Sequence, residues 1–407
     1  MSPPSSFIEI SGRERALSRS RVVVDLDALS FNLSQIRSRL SGRTEILPIV
    51  KADAYGHGML PVARHLARRN IGSFGVMGLE EGIRLREAGV PGRIVVLGSL
   101  LPDEISDCVV HRLTPVIHHF DQLDVLRESF SDVSVGIHLK WDTGMGRLGF
   151  LPEDLPRLAS LLSRSANVQV EGVLTHFSDG EDDVRTDTQI RTFESIILGL
   201  ASHGILQNEI VIHMANSAAI LSGRTEVDMK SLRQRWGGTV HFWVRPGLLL
   251  YGIPPDPERS SSEWKPVMKV EARLISIKTL HAKSRISYGG IHTLERETRV
   301  GVLGLGYADG LPRELSNWGW AVREGVRFPF LGRVCMDMVI VDLTEADGQI
   351  SLGDWVTVMG NRESRAMTAW DMARKIRTIP YEIICRLGNR SPRVYVGGSN
   401  LSGEDNG

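Results

Sequence analysis

The residues best equipped for chemistry in this chain stand where apolar runs end. Lys51 closes the run ILPIV and is followed by a polar, glycine-punctuated turn, ADAYGHG. A lysine held there, partly removed from water, is a candidate Schiff-base or general-base amine. Lys140 closes another run and precedes the glycine-rich turn WDTGMGRLGF, which carries Arg147. His176 follows VEGVLT, Asn216 and Ser217 stand in HMANSAA, and Arg245 stands in VRPGLLLYG. Each has an ordinary explanation when taken singly. A strand-end lysine can snorkel to solvent, a histidine can be a satisfied core residue, and an arginine can pair with a carboxylate. The acidic run SDGEDD (residues 178–183) has metal-ligand residue types. It precedes a helix start, where acidic residues are favoured electrostatically, so a solvated capping loop is expected and no metal.

These residues gain meaning from the elements that must position them. Candidate strands cover residues 46–51, 74–77, 94–98, 113–116, 134–140, 170–176, 210–214 and 242–247, and helical patterns separate most of them. One such helix, residues 189–200, has Ile190, Phe193, Ile196, Ile197 and Leu200 on one face, with Thr186 and Gln189 at capping-box spacing before it. Eight βα units in roughly 250 residues predict a (β/α)₈ barrel of the TIM type. In such a barrel the strand-end residues above all point to one face. A doubly wound open sheet is the structural alternative, and periodicity does not separate the two.

Past Tyr251 the texture changes. A stretch rich in Pro, Ser and charge (residues 252–266) leads into alternating segments at 267–277, 298–305, 326–331, 338–343, 355–358 and 393–396. These predict a mainly antiparallel β domain with one short helix over 368–376. The expected division is a flexible leader (1–21), a barrel (22–254), a linker (255–266), a β domain (267–398) and a tail (399–407). The second domain has its own polar blocks: RISYGG with Tyr288, GLGYADGLPR with Tyr307 and Arg313, GRVCMDM with Arg333, Cys335, Met336 and Asp337, and PYE with Tyr381.

Composition narrows the function classes. The 407 residues carry 48 basic and 48 acidic side chains, so nothing calls for nucleic acid or an anionic membrane surface. No apolar run approaches a bilayer span, and the N-terminus lacks the apolar core of a secretory signal. Three widely spaced cysteines, Cys108, Cys335 and Cys385, form no disulfide framework, and a reducing cytosol is the expected compartment.

In nine blocks taken in order, from VKADAYGHG through DTGMGRLGF, HF, NSAA, RPGLLLYG, SYGG, GYADGLPR and GRVCMD to PYE, the chain resembles the alanine racemase family. The resemblance covers roughly residues 22–396 and implies a barrel that binds pyridoxal phosphate (PLP), a β domain and a homodimer with shared sites. It implies that Lys51 holds PLP as a Schiff base and acts as one base, and that Tyr288 from the other subunit is the second. Arg147 would hold the cofactor's phenolic oxygen, helped by Lys140, and Arg245 would face the pyridine nitrogen with His176 behind it. Tyr55, Ser217, Gly247, Leu248 and Tyr381 would hold the phosphate. Met336, beside Cys335, would contact the substrate carboxylate together with Arg147. Tyr307, Arg313, Arg333 and Asp337 would support the site or line the way in.

The implied reaction interconverts L- and D-alanine in the cytoplasm, supplying D-alanine for peptidoglycan or degrading it. Two bases suit it, since one base does not easily reach both faces of a planar carbanion. The resemblance also leaves a broader-specificity or serine racemase as the alternative, and behind it a PLP-dependent decarboxylase or a PLP carrier. A carrier would have no need of Tyr288. The acidic run after His176 and the length of residues 224–243 depart from the family's pattern.

Overall fold

The chain's fold is taken from a computed structural model, which describes residues 18–398 apart from 43, 131–132, 180–182, 207, 227–236, 257–262 and 347–349. Its first strand, β1 (Ser20–Asp25), belongs to a sheet completed by the end of the chain. The next eight are β2 (Thr44–Ile46), β3 (Ser73–Val76), β4 (Arg93–Val96), β5 (Thr114–Ile117), β6 (Val135–Lys140), β7 (Val168–Leu174), β8 (Glu209–His213) and β9 (Thr239–Val244). They pair in parallel in the order β2-β9-β8-β7-β6-β5-β4-β3. The two ends of that order meet just past β2, where Ile49 bridges Gly75 in parallel. There the Gly75 N–H donates to Pro48 O and the Val50 N–H to Gly75 O, each at 2.9 Å. Helices follow most of these strands, and the ring is a (β/α)₈ barrel.

Two apolar populations serve a barrel, one against the helices and one filling the ring. The larger core runs continuously from the helices into the second domain. A separate buried cluster of Leu47, Val95, Val116, Leu174 and Trp243 fills the inside. His138 and His213 join it, fully buried, with Nδ1 of the first 2.9 Å from Nε2 of the second. Both rings lie within 6 Å of Trp243.

The second sheet uses β10 (Met268–Leu280), β13 (Thr298–Leu303), β14 (Trp320–Arg323), β15 (Val326–Leu331), β16 (Val339–Asp342), β17 (Trp355–Met359) and β18 (Arg393–Val396), in the order β13-β16-β15-β14-β17-β10-β1-β18. β13 also pairs with β10. A separate two-stranded hairpin, β11 (Arg285–Ile286) with β12 (His292–Thr293), carries Tyr288 at its turn. The sheet is antiparallel except where β1 lies parallel to β18. Val22 is therefore opposite both Val270 and Arg393, and the two ends of the described chain lie side by side.

Several expectations change here. Ser20 and Arg21, read as leader, are strand residues, and β14 and the β11–β12 hairpin were not expected. The strand expected over 46–51 stops at Ile46, because Pro48 donates no ladder bond and Lys51 turns away. The helix after His176 starts at Asp183, not at Thr186, so Thr186 lies inside it and its hydroxyl bonds Asp179 O. Thr368 does cap Ala369–Ile376 through the Asp371 N–H. Half of the acidic run (180–182), half of the linker (257–262) and half of the long 224–243 segment (227–236) fall outside the described residues. None of the described helices is long and apolar enough to cross a membrane.

Three fully buried histidines give the fold a pH dependence. Burial is the largest cause of depression in each, to about 4 for His57, about 3 for His138 and well below the usual value for His213. The folded state holds them neutral while the unfolded chain binds protons below about pH 6.5, so stability is lost as pH falls from there toward the folded values. At pH 5 each should cost roughly 2 kcal/mol. Urea unfolding at pH 7.5 and 5.0 should show a fall of several kcal/mol, and a flat profile would contradict it.

Candidate active site

Lys51 is carried by an unusual piece of backbone. Residues Ala52, Asp53, Ala54 and Tyr55 all have φ between 52° and 54°, a turn of left-handed helix in ordinary L-residues. Such conformations cost roughly 1–2 kcal/mol per residue because Cβ crowds the following carbonyl. Ala52 and Ala54 carry that Cβ but nothing beyond it. Hydrogen bonds offset part of the cost: Ala54 N–H to Val50 O (2.8 Å), Gly56 N–H to Ala52 O (3.0 Å) and Gly58 N–H to Asp53 O (2.8 Å). The Asp53 carboxylate then accepts from the Met59 N–H at 2.8 Å, starting the helix Met59–Ala67. Outside the turn, Glu81 accepts from the Ala52 N–H at 2.7 Å and from the Met77 N–H at 2.8 Å.

The second domain presses on this turn. Gly56 has φ 82°, and a Cβ there would lie 2.4 Å from Ile384 O; at Gly58 (φ 94°) it would overlap the Tyr395 hydroxyl. Ile384 belongs to the helix Pro380–Arg386, which also carries Tyr381. The Tyr55 ring lies 5.2 Å from Tyr251 and 5.8 Å from Tyr381, and Tyr251 donates to Ile49 O at 2.9 Å.

Around Lys51 the pocket is electropositive. Burial and then Arg147 lower the Lys51 pKa, while Glu81 and Cys385 act to raise it. Lys140 is pushed down to about 8 by burial, then by Arg245 and Arg147. Arg245 is buried and is held by carbonyls: it donates to His213 O (2.5 Å), Thr175 O (2.6 Å) and Met214 O (3.1 Å). Its Nη2 also lies 3.2 Å from His176 Nδ1. Burial and the Arg245 charge push His176 down to about 3, so it is a neutral acceptor for that arginine. Arg147 sits on a turn built by Asp142, whose carboxylate accepts from the N–H groups of Gly144, Met145, Gly146 and Arg147. Burial would raise the Asp142 carboxyl, and those four donors more than offset it, so its pKa is lowered.

Beside the amine lies a cradle of donors. The Ser217 hydroxyl accepts from the Gly247 and Leu249 N–H groups at 3.1 and 3.3 Å. A Cβ at Gly247 would lie 2.7 Å from the Tyr55 hydroxyl, so glycine keeps that approach open. No hydrogen bond among the described residues takes the Leu248 N–H or the Tyr55 and Tyr381 hydroxyls. Such a set, free of carboxylates, suits an anionic phosphate, and with the lysine and arginines it fits pyridoxal phosphate.

The remaining expected residues gather on the second domain. Tyr288 is 73% exposed, on a turn where Ser287 donates to Arg333 O at 2.8 Å and lies 3.4 Å from Cys335 Sγ. The Tyr307 and Ala308 N–H groups donate to Cys335 O and Met336 O. Arg313 and Asp337 are exposed on the same domain. No hydrogen bond or ring contact joins Tyr288 to Lys51. Arg390 clamps the loop through Asp309 (2.9 Å) and Asp337 (2.7 Å).

Glu81, Asp142, Cys385 and Arg390 are the site residues that sequence reasoning missed. Asp142 had a usable signal, an aspartate two residues before the first of several glycines. Glu81 had none, since it reads as an ordinary acid in the first turn of Leu79–Glu87.

The family model of the alanine racemase N-terminal domain matches residues 24–255, and that of the C-terminal domain matches 267–395. An alanine racemase of Halothermothrix orenii is 36% identical over 379 residues, which covers 91% of this chain and 95% of that one. One from Carboxydothermus hydrogenoformans is 36% identical, over 92% of this chain and 98% of its own. Among solved structures, an alanine racemase of Clostridium difficile superposes with a TM-score of 0.81 at 29% identity, covering 93% of this chain and 96% of that one. The enzyme from a D-cycloserine-producing Streptomyces lavendulae gives 0.81 at 31%, covering 93% and 97%.

The contact between Gly56 and Ile384 O gives a direct test of how the turn is held. Gly56→Ala should destabilise by well over about 1 kcal/mol. Gly223→Ala is the control: its φ is 73°, but nothing lies within 4 Å of the added Cβ. Urea midpoints should fall further for Gly56→Ala, and equal losses would show that the close approach does not matter.

Proposed function

The chain belongs to the alanine racemase family, its reaction is the interconversion of L- and D-alanine, and from that premise we propose how its residues divide the work. The observation that carries the reading is the electropositive pocket around a partly desolvated Lys51, closed by a donor cradle without a carboxylate. Lys51 would hold pyridoxal phosphate, with Tyr55, Ser217, Tyr381 and the Gly247–Leu248 backbone around its phosphate and Arg147 and Arg245 beside its ring. When bound, that cofactor supplies an electron sink that makes the Cα–H of an attached amino acid acidic.

The chain's own groups then handle the proton. Lys51, its pKa lowered by burial and by Arg147, removes or returns it on one face of Cα. Tyr288 serves the other face. It is exposed, and its side chain has no hydrogen-bond or ring partner among the described residues, so the proposal needs a second copy of the chain to bring it to Lys51, as a homodimer. Arg245 stays protonated and cannot accept another proton. It therefore could not keep a proton on the cofactor's ring nitrogen, as a carboxylate there would. Neutral His176 holds that arginine, and Asp142 holds the turn of Arg147. Arg147 and Met336 would receive the substrate carboxylate, with Cys335, Tyr307, Arg313, Arg333 and Asp337 shaping the approach and Lys140 adding positive charge. The product would supply D-alanine for peptidoglycan, or the reverse flux would consume it, in the cytoplasm.

Incubation of the purified protein with PLP and L-alanine in D₂O tests this by chirality and mass. D-alanine bearing deuterium at Cα is expected. Tyr288→Phe should keep the cofactor yet slow racemisation by roughly 10²–10⁴-fold, and an unchanged rate would return Tyr288 to a packing role. Activity should reappear when inactive Lys51→Ala and Tyr288→Phe proteins exchange subunits, and its absence would count against a shared site.

A further inference from the structure

We infer that Glu81 is a positioning residue for Lys51, fixing the direction of its amine by clamping the first peptide of the left-handed turn. The inference rests on the proposal above that Lys51 is a proton-transferring amine. Both carboxylate oxygens are engaged, and with two different connections of the barrel. Oε1 accepts from the Ala52 N–H, directly after Lys51, at 2.7 Å. Oε2 accepts from the Met77 N–H at 2.8 Å, directly after β3. Ala52 has φ 52° and ψ 50°, and none of the turn's carbonyls takes its N–H. Ala52 is also exposed. Without Glu81 its N–H would bond only water, and the peptide between residues 51 and 52 would lose its anchor.

The same carboxylate acts on the charge of the amine. The groups that act on Lys51, or on which it acts, come from four other elements: Arg147 on the turn after β6, Lys140 at the end of β6, His176 after β7, and Cys385 on the helix Pro380–Arg386. Glu81 is the carboxylate that acts on Lys51, and it opposes the lowering by Arg147. Its removal should therefore shift the titration of Lys51 to lower pH. A geometric clamp and an electrostatic bias thus meet in one residue whose two carboxylate oxygens both accept from backbone N–H groups.

The test uses holoenzyme loaded with PLP, as wild type, Glu81→Gln and Glu81→Ala. Gln keeps the shape and one acceptor, so it remains informative if Ala fails to fold. One readout is the pH titration of the visible absorbance of Lys51-bound cofactor, which should move to lower pH in Glu81→Gln. The other is the primary deuterium isotope effect with Cα-deuterated L-alanine and D-alanine measured separately. It should rise for one enantiomer only, the one whose proton Lys51 takes. kcat should fall roughly 10- to 100-fold with KM little changed. A wild-type titration with isotope effects that stay alike for both enantiomers would overturn the inference. Loss of the Lys51-dependent band from wild type itself would instead sink the reading of Lys51.

Discussion

Lys51, the candidate active-site lysine, sits on backbone that L-amino acids resist, and much of the architecture serves to hold it there. Four residues in the left-handed region follow Lys51, at roughly 1–2 kcal/mol each, which the turn's three internal hydrogen bonds, at about 1 kcal/mol each, offset only in part. The remainder comes from outside. Glu81 anchors the start of the turn, Asp53 ties its middle to the next helix, and Gly56 and Gly58 let its end press on the second domain at Ile384 and Tyr395. A right-handed turn at this point would carry the chain past the barrel mouth in another direction. The motif ADAYGHG is legible in these terms as small side chains, a locally bonding aspartate and two glycines at close contacts.

The second organising feature is charge. Lys51, Lys140, Arg147 and Arg245 converge with a neutral histidine, and burial lowers the pKa of both lysines. So many cations are tolerable only if an anion joins them or if their donors are already engaged. Arg245 takes the second course, since backbone carbonyls at two strand ends accept its hydrogen bonds. Asp142 spends its charge on a turn rather than on a cation. The positive field is thus left to act on whatever anion enters. The helix Pro380–Arg386 joins this field to the rest of the second domain: just past it, the Gly388 N–H donates to Asp309 O, and Arg390 ties Asp309 to Asp337, next to Met336. The cradle tyrosine and the Tyr307–Met336 surface therefore share a support.

The sequence reveals the barrel better than it reveals the site. Apolar runs of parallel strands are near continuous, so seven of the eight could be placed within about three residues and β2 only at Ile46, and strand ends named Lys51, Lys140, His176, Ser217 and Arg245 as one group. The handedness after Lys51 was hidden, because Ala-Asp-Ala-Tyr reads as unremarkable helix or turn and the conformation is imposed by contacts distant in sequence. β1 was missed for a similar reason: its partners lie some 250 and 370 positions away, at Val270 and Arg393. Thr186 obeyed a local capping rule, but the helix already starts at Asp183. Glu81 illustrates the general limit, since its importance lies in two backbone N–H groups that no sequence pattern marks. The roles given to Tyr288 and Met336 came from family resemblance, and the structure adds that both stand exposed on a face of the second domain.

The stability of Ala52→Gly tests the central claim most directly. Ala52 is exposed, so the change removes no packing. In a left-handed turn glycine escapes a penalty of roughly 1–2 kcal/mol and gives back about 0.5–1 kcal/mol in chain entropy. The account therefore predicts that equilibrium denaturation will show a gain of roughly 0.5–1 kcal/mol. A loss of about 0.5–1 kcal/mol, the usual effect of glycine in right-handed helix, would contradict it.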